Sequence, residues 1–243
     1  MRRDCSFGMD SLCSFEMRHG CRTFRIQLIS PFVYSQLIKM IRPGKIVVLE
    51  GLPGIGKTTL GESLQAHDSN VVFIPEVVNV ERLKIYLADM QNKAADFQFD
   101  TQFETAVRLR QAAKYARAGR DVIVDRGLGG NLCFALIQHE AGMISDERMD
   151  EYRATFSYDK IAELEGIEVR IVYMFADAEF CLQRIRSRGR AGEDTYRLDY
   201  LERLKAKHDE LLGDSVIVTC DGDTQFTSSG HLPQSYVEAL MVL

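Results

Sequence analysis

Gly51-Leu52-Pro53-Gly54-Ile55-Gly56-Lys57-Thr58 is a glycine-rich run of the form G-x-x-x-x-G-K-T. It follows a short β-branched run, Lys45 to Glu50, and opens a helix-length stretch, Thr58 to Ala66. That strand, loop and helix context is what such a run needs in order to bind phosphate. Glycines let the backbone wrap anionic oxygens with its N–H groups, a lysine neutralises β/γ charge, and the threonine hydroxyl can ligate Mg²⁺. Gly51, Gly54, Gly56, Lys57, Thr58 and Thr59 are therefore expected to hold a nucleoside triphosphate with magnesium. Lys57 is expected to act in catalysis as well. The competing reading, a chance glycine turn with a solvated lysine, leaves the flanking strand and helix without a role.

Working outward, five β-branched runs punctuate the chain: Lys45 to Glu50, Val71 to Pro75, Asp121 to Asp125, Glu168 to Phe175 and Ser215 to Thr219. Each reads as a buried parallel strand. Helix-length stretches lie between them, at Thr58 to Ala66, Asp100 to Ala118, Asp146 to Leu164, Ala178 to Arg188 and Leu198 to Leu212. Gly119 fits a helix C-cap and Asp177 an N-cap. This alternation predicts an α/β fold, a three-layer α/β/α sandwich around a five-stranded parallel sheet with right-handed crossovers. Glu76 and Asp125-Arg126 then fall at the carboxyl ends of the second and third strands, the edge where open α/β sheets bind ligands.

The bulk numbers fit one soluble enzyme domain: 243 residues, 46% hydrophobic and 27% charged. Residues 1 to 43 carry seven Lys/Arg against three Asp/Glu, so their +4 leaves −9 on the remainder of a chain whose net charge is −5. An acidic body argues against nucleic-acid binding. The expected organisation is a basic N-terminal extension, 1–43, and a catalytic domain, 44–243. The extension reads as a flexible or upstream segment before a start at Met40, or as a mitochondrial presequence, which Asp4, Asp10 and Glu16 oppose. The expected location is cytoplasmic, or mitochondrial if the extension is a presequence. Cysteines 5, 13, 21, 133, 181 and 220 lack zinc-ligand spacing and read as reduced thiols. The apolar stretch Ile26 to Ile41 is too short and too polar to span a membrane.

Taken singly, the remaining polar motifs have ordinary readings. Glu76 in Ile74-Pro75-Glu76-Val77-Val78 could be a solvated strand-end glutamate, and Asp125-Arg126 a surface ion pair. The run Cys181 to Arg190 could be a solvated basic patch, and Gln102 a solvent-facing helix residue. Beside a phosphate loop their chemistry converges. A carboxylate can take a hydroxyl proton as phosphoryl transfer develops. Arg184 and Arg188, four apart on one helix face, and Arg190 beyond the Gly189 hinge can close over a triphosphate. An amide such as Gln102 offers both donor and acceptor to a base.

From Lys45 to about Asp223 these motifs, in this order, resemble the deoxynucleoside kinases, a P-loop kinase family that includes viral relatives. The resemblance implies transfer of the γ-phosphate of ATP-Mg²⁺ to the 5′-hydroxyl of a deoxynucleoside, an arginine-rich lid, and a homodimer joined through helices. It makes Glu76 the general base and Arg126 the residue that orients the base and binds the phosphoryl region. Thr58 and Asp125 would hold Mg²⁺, while Arg184, Arg188 and Arg190 would close on ATP. The deoxynucleoside would meet Glu76, Gln102, Arg126, Asn131 and Glu193, the last on the sugar 3′-hydroxyl. Departures cluster at the base pocket. The family tyrosine aligns with Gln91, although Tyr86 lies nearby; an aspartate becomes Asn131; an arginine becomes Leu109, flanked by Arg108 and Arg110. Phe99, Phe103 and Phe134 are candidates for base stacking, and Thr219-Cys220-Asp221-Gly222-Asp223 for a loop around the donor adenine.

Other readings remain at this point. Thymidylate or other nucleoside-monophosphate kinases share the fold, but the former usually carry R-E-P-G where this chain has Ile74-Pro75-Glu76-Val77. A GTPase would want N-K-x-D, and Asn92-Lys93-Ala94-Ala95-Asp96 has one residue too many. A non-catalytic nucleotide-binding protein need not keep Lys57, Glu76, Arg126 and the lid arginines together.

Overall fold

The computed structural model describes residues 13–19, 22–28, 43–189, 193 and 195–220. Arg190 and Asp221-Gly222-Asp223, singled out above, lie outside the described residues. The chain divides into two units, Met1–Pro43 and Gly44–Leu243. In the first, strand β1 (Cys13–His19) pairs antiparallel with β2 (Arg22–Leu28), Cys13 opposite Leu28 and His19 opposite Arg22.

The second unit holds a five-stranded sheet of β3 (Ile46–Gly51), β4 (Val71–Ile74), β5 (Asp121–Asp125), β6 (Val169–Phe175) and β7 (Val216–Thr219). The order across it is β4-β5-β3-β6-β7, and every neighbouring pair is parallel. All five expected strands form, within a residue or so of their expected bounds. β3 is buried along its whole length. Val47 and Leu49 enter one core with Leu60, Leu64, Met174 and Leu201, while Ile46 and Val48 enter another with Leu109, Ala113 and Val124. Alternate side chains thus serve opposite faces, which is why the run is continuously apolar.

Seven α-helices are described: α1 (Lys57–His67), α2 (Val80–Ala88), α3 (Met90–Arg117), α4 (Leu128–Glu140), α5 (Asp146–Thr155), α6 (Ala178–Arg188) and α7 (Leu198–Leu212). Among the described residues no helix is long and apolar enough to cross a membrane. α6 and α7 match expectation to the residue. Three departures have physical reasons. α3 starts ten residues before the expected Asp100, because Asp89 caps it, its carboxylate accepting from the Asn92 N–H at 3.4 Å and from the Asn92 side-chain amide at 3.0 Å. The helix expected over Asp146 to Leu164 stops at Thr155: Phe156 turns extended to pack on Phe99 and Tyr152, and two 3₁₀ turns, Tyr158–Lys160 and Ala162–Leu164, follow. α4 is not among the expected helices, and Gly127, Gly129 and Gly130 at its start weigh against a helix by propensity.

The register places the site. Leu49 pairs with Asp125 and Ile74 with Val124, so the phosphate loop, Asp125-Arg126 and Glu76 leave the sheet side by side at its carboxyl edge. Beneath them, α3 lays Ala106, Leu109, Ala112, Ala113 and Ala116 on the sheet, small side chains that bring the helix close. Leu109 is fully buried there. Leu109→Ala should lower unfolding free energy by about 2–5 kcal/mol, measured by urea denaturation with an unchanged m-value.

Candidate active site

Gly51, Gly54 and Gly56 take φ of 138°, 81° and 110°, the left-handed half of backbone space that glycine enters freely. Gly54 also passes so close to α6 that a Cβ would sit 2.7 Å from the Cys181 carbonyl oxygen. Gly56 caps α1 without any side-chain hydrogen bond, which leaves the first amides of the helix for an anion. Lys57 is buried, its Nζ donating to the carbonyl oxygens of Gly51 and Leu52 at 3.0 Å each. Burial and then the Arg126 guanidinium bring its ammonium down to about 8, against the pull of Asp125, Glu76 and Glu50. Thr59 lies partly buried on the same first turn.

Thr58 Oγ1 donates to Asp125 Oδ2 at 2.6 Å, while Asp125 Oδ1 is buried without a hydrogen-bond partner. A hydroxyl and a spare carboxylate oxygen fit Mg²⁺, which needs only one or two protein carboxylates because phosphates and waters complete its shell.

Arg126 follows Asp125 with φ 64°, a left-handed conformation that costs a Cβ-bearing residue about 1–2 kcal/mol. Contacts on every side hold it. Its N–H donates to the Leu49 carbonyl at 2.9 Å, its own carbonyl accepts from Arg108 Nη2 at 3.3 Å, and its Nε donates to Glu76 Oε1 at 2.9 Å. Its guanidinium lies 4.9 Å from the Phe134 ring centre. Burial alone would weaken its charge, but Glu76, Glu50 and Asp125 reverse that and keep it protonated. Burial likewise pushes the Glu76 carboxyl up; Arg126, Lys57 and Arg108 together outweigh it and hold Glu76 below the usual carboxylate range.

Gln102 and Asn131 come together as the sequence predicts, and both are buried. Asn131 Nδ2 donates to Gln102 Oε1 at 3.0 Å and to Thr105 Oγ1 at 2.8 Å, and Gln102 Nε2 donates to the Leu128 carbonyl at 3.2 Å. Beyond these two bonds the Gln102 amide has a further N–H and a further lone pair. In the lid, Arg184 Nε donates to the Gly54 carbonyl at 2.8 Å. Arg188 grips Glu193 in a bidentate pair, 3.0 Å from Nε to Oε2 and 2.6 Å from Nη2 to Oε1. Tyr196, just beyond, has its phenol pushed up to about 12, by burial against the lowering effect of Arg126, with Glu76, Glu193 and Tyr86 adding to the rise. Gln91 points elsewhere, donating to the Gly142 carbonyl at 3.0 Å, whereas Tyr86 accepts from Gln138 Nε2 at 3.0 Å. Of the three phenylalanines, Phe134 lies beside the site under Arg126. Phe99 packs on Tyr152 and Phe156, and Phe103 is exposed.

Two residues were missed. Arg108 is buried, donating from Nη1 to the Asp125 carbonyl at 2.6 Å and from Nη2 to Thr105 Oγ1 at 2.8 Å. Glu50 is fully buried beneath the phosphate loop, and burial, opposed by Arg126 and by the Gly130 and Gly127 amides, leaves its carboxyl above the ordinary value. The signals were present: Gln98, Gln102, Thr105 and Arg108 form a polar stripe on one face of α3, and Glu50 interrupts an apolar strand.

The sequence profile of the deoxynucleoside kinase family matches residues 47–238. The chain belongs to the deoxynucleoside kinase family. It is 24% identical to a deoxyadenosine kinase of Dictyostelium discoideum over 188 residues, covering 77% of this chain and 74% of the relative. It is 28% identical to a probable deoxycytidine kinase of Fowlpox virus (strain NVSL) over 208 residues, covering 81% and 86%. With a Dictyostelium discoideum deoxyguanosine kinase it shares 29% over 165 residues, covering 66% and 56%. The solved deoxyadenosine kinase of M. mycoides, with products dCMP and a flexible dCDP bound, superposes with a TM-score of 0.62 at 16% identity, covering 82% of this chain and 100% of that one. At that identity the likeness concerns the fold. This deoxynucleoside kinase is an ATP-dependent phosphotransferase acting on the 5′-hydroxyl of its acceptor.

Because Glu76 is held below its ordinary value of 4.5, its anionic form persists in the folded kinase until the pH falls through that lowered value. With Glu76 as the group that must be ionised for turnover, as proposed below, the acid limb of kcat/KM should lie below the usual glutamate range. In Arg126→Gln burial acts with less opposition, and the limb of the residual activity should move to higher pH. A pH–rate profile of both proteins checks this.

Proposed function

We propose that Glu76 is the general base of this deoxynucleoside kinase and Arg126 its partner, with the donor bound by the phosphate loop and Mg²⁺ held by Thr58 and Asp125. The observation that carries the reading is the 2.9 Å bond from Arg126 Nε to Glu76 Oε1, beside the 2.6 Å contact of Thr58 with Asp125 at the same sheet edge. With Arg126 holding Oε1, Oε2 of Glu76 accepts the 5′-hydroxyl proton as the hydroxyl oxygen attacks the γ-phosphorus and the bond from that phosphorus to the β,γ-bridging oxygen breaks, its electron pair leaving with ADP. Lys57 leaves the Gly51 and Leu52 carbonyls for the donor's phosphates, whose charge favours its protonated form. Arg184 and Arg188 make the corresponding exchange from the Gly54 carbonyl and Glu193, with Arg190 as a third lid cation. Glu193, once released, is free for the sugar 3′-hydroxyl. When bound, Mg²⁺ supplies charge neutralisation on the β/γ oxygens.

Gln102 and Asn131 form the base-reading end of the acceptor pocket. The named relatives act on adenine, cytosine and guanine deoxynucleosides, so kinship leaves the base open and the two amides must decide it. A homodimer is the proposed assembly; Phe103 and Val107, exposed four residues apart on one face of α3, support it.

Glu76→Gln should keep ATP affinity and lose on the order of 10² to 10⁴ in kcat, read by an ATP-dependent assay over the four deoxynucleosides, the ribonucleosides and thymidine monophosphate. Near-normal turnover would remove Glu76 from the chemistry, and activity on the monophosphate alone would overturn the nucleoside acceptor. Lys57→Ala should abolish productive use of ATP in the same assay.

A further inference from the structure

We infer that Glu50 is a positioning residue for phosphoryl transfer, anchoring Arg126 on the side away from Glu76 and tying it to the first residue of the phosphate loop. This rests on the roles given above to Arg126 and Glu76.

Glu50 immediately precedes Gly51, and none of it is exposed. An apolar side chain would complete the strand at no electrostatic cost. A buried carboxylate costs several kcal/mol unless its partners repay it. Two of those partners are the backbone amides of Gly127 and Gly130, which donate to Oε1 at 3.1 and 3.0 Å and fix the start of α4. Oε2 makes no hydrogen bond, and neither does Arg126 Nη1, although both are buried. These opposite charges flank one point: a Cβ on Gly130 would lie 2.2 Å from Glu50 Oε2 and 3.2 Å from Arg126 Nη1. Gly130 is what lets the carboxylate come up behind the arginine.

Arg126 thus lies between two carboxylates, bonded at Nε to Glu76 and with the unbonded Oε2 of Glu50 behind its Nη1. Removing Glu50 frees the guanidinium to collapse onto Glu76, the group that must accept a proton. The loss should therefore appear in kcat, while the donor, bound by the loop and α1, keeps its KM.

Glu50→Gln is the sharp test. Its amide oxygen can still accept from both glycines, but its NH₂ now faces Arg126 Nη1, donor against donor. Gly130→Ala tests the same contact independently, since its methyl displaces Oε2 while suiting a helix. Each should lower kcat on the order of 10- to 100-fold with KM for ATP unchanged, and each should cost little more when added to Arg126→Lys. A kcat left intact in either variant, or a loss of equal factor with and without Arg126, overturns the inference. Full turnover in Arg126→Ala would instead overturn the role given to Arg126 itself.

Discussion

The architecture turns on one buried guanidinium. Arg126 sits in a backbone conformation that side chains avoid, and it stays there because the sheet, α3, Phe134 and Glu76 each take one of its groups. Its N–H closes on the carbonyl of Leu49 in the central strand, so Arg126, proposed above to meet the acceptor, is fixed to the strand that launches the phosphate loop. The parallel register of β3, β4 and β5 then has one chemical consequence: the phosphate loop, the Thr58–Asp125 pair and Glu76 emerge within reach of the same arginine.

Around it lies a compact set of charges, with Glu50, Glu76 and Asp125 against Lys57, Arg108 and Arg126. Such pairs add little to stability, because each ion gives up its hydration. They set protonation states instead. Glu76 stays anionic and Arg126 charged, while Lys57, crowded by a second cation in a buried place, is eased toward neutrality. The set is nearly balanced by itself, so the charge of an incoming triphosphate must be met largely from outside it. The lid provides for that. Arg184 rests on a neutral carbonyl and Arg188 on the carboxylate of Glu193, so under the proposed roles one exchange would link occupation of the donor site to release of Glu193 toward the acceptor.

Much of this was legible because it rests on local pattern. Five β-branched runs separated by helix-length spans gave the sheet, and Gly51 to Thr58 placed the donor; strand ends then located Glu76 and Asp125-Arg126. What escaped depends on packing between distant segments. Arg108 neighbours the buried Leu109, and only the pitch of α3 decides that its guanidinium turns up to the Asp125 carbonyl. Glu50 reads as a strand residue until the glycines at 127 and 130, more than seventy positions later, bring their amides to it. The same glycines hid α4, because open space for a buried carboxylate and a flexible turn look alike in sequence.

The two halves of the site differ in kind. The donor half is built from charges and backbone whose geometry leaves no alternative: left-handed glycines, an arginine locked by its surroundings, a threonine bonded to an aspartate. The proposed acceptor half is built from amides. A carboxylate at position 131 would accept only, and would reject any base edge that also accepts. Asn131 and Gln102 each carry donor and acceptor, but the Leu128 carbonyl accepts from Gln102 Nε2 and the Thr101 carbonyl from Thr105 Oγ1, so the backbone fixes which way the network runs. A base docked there under the proposed reading would meet one spare N–H and one spare lone pair of Gln102, and discrimination by hydrogen bonding is strong where a wrong edge leaves such a buried group unpaired.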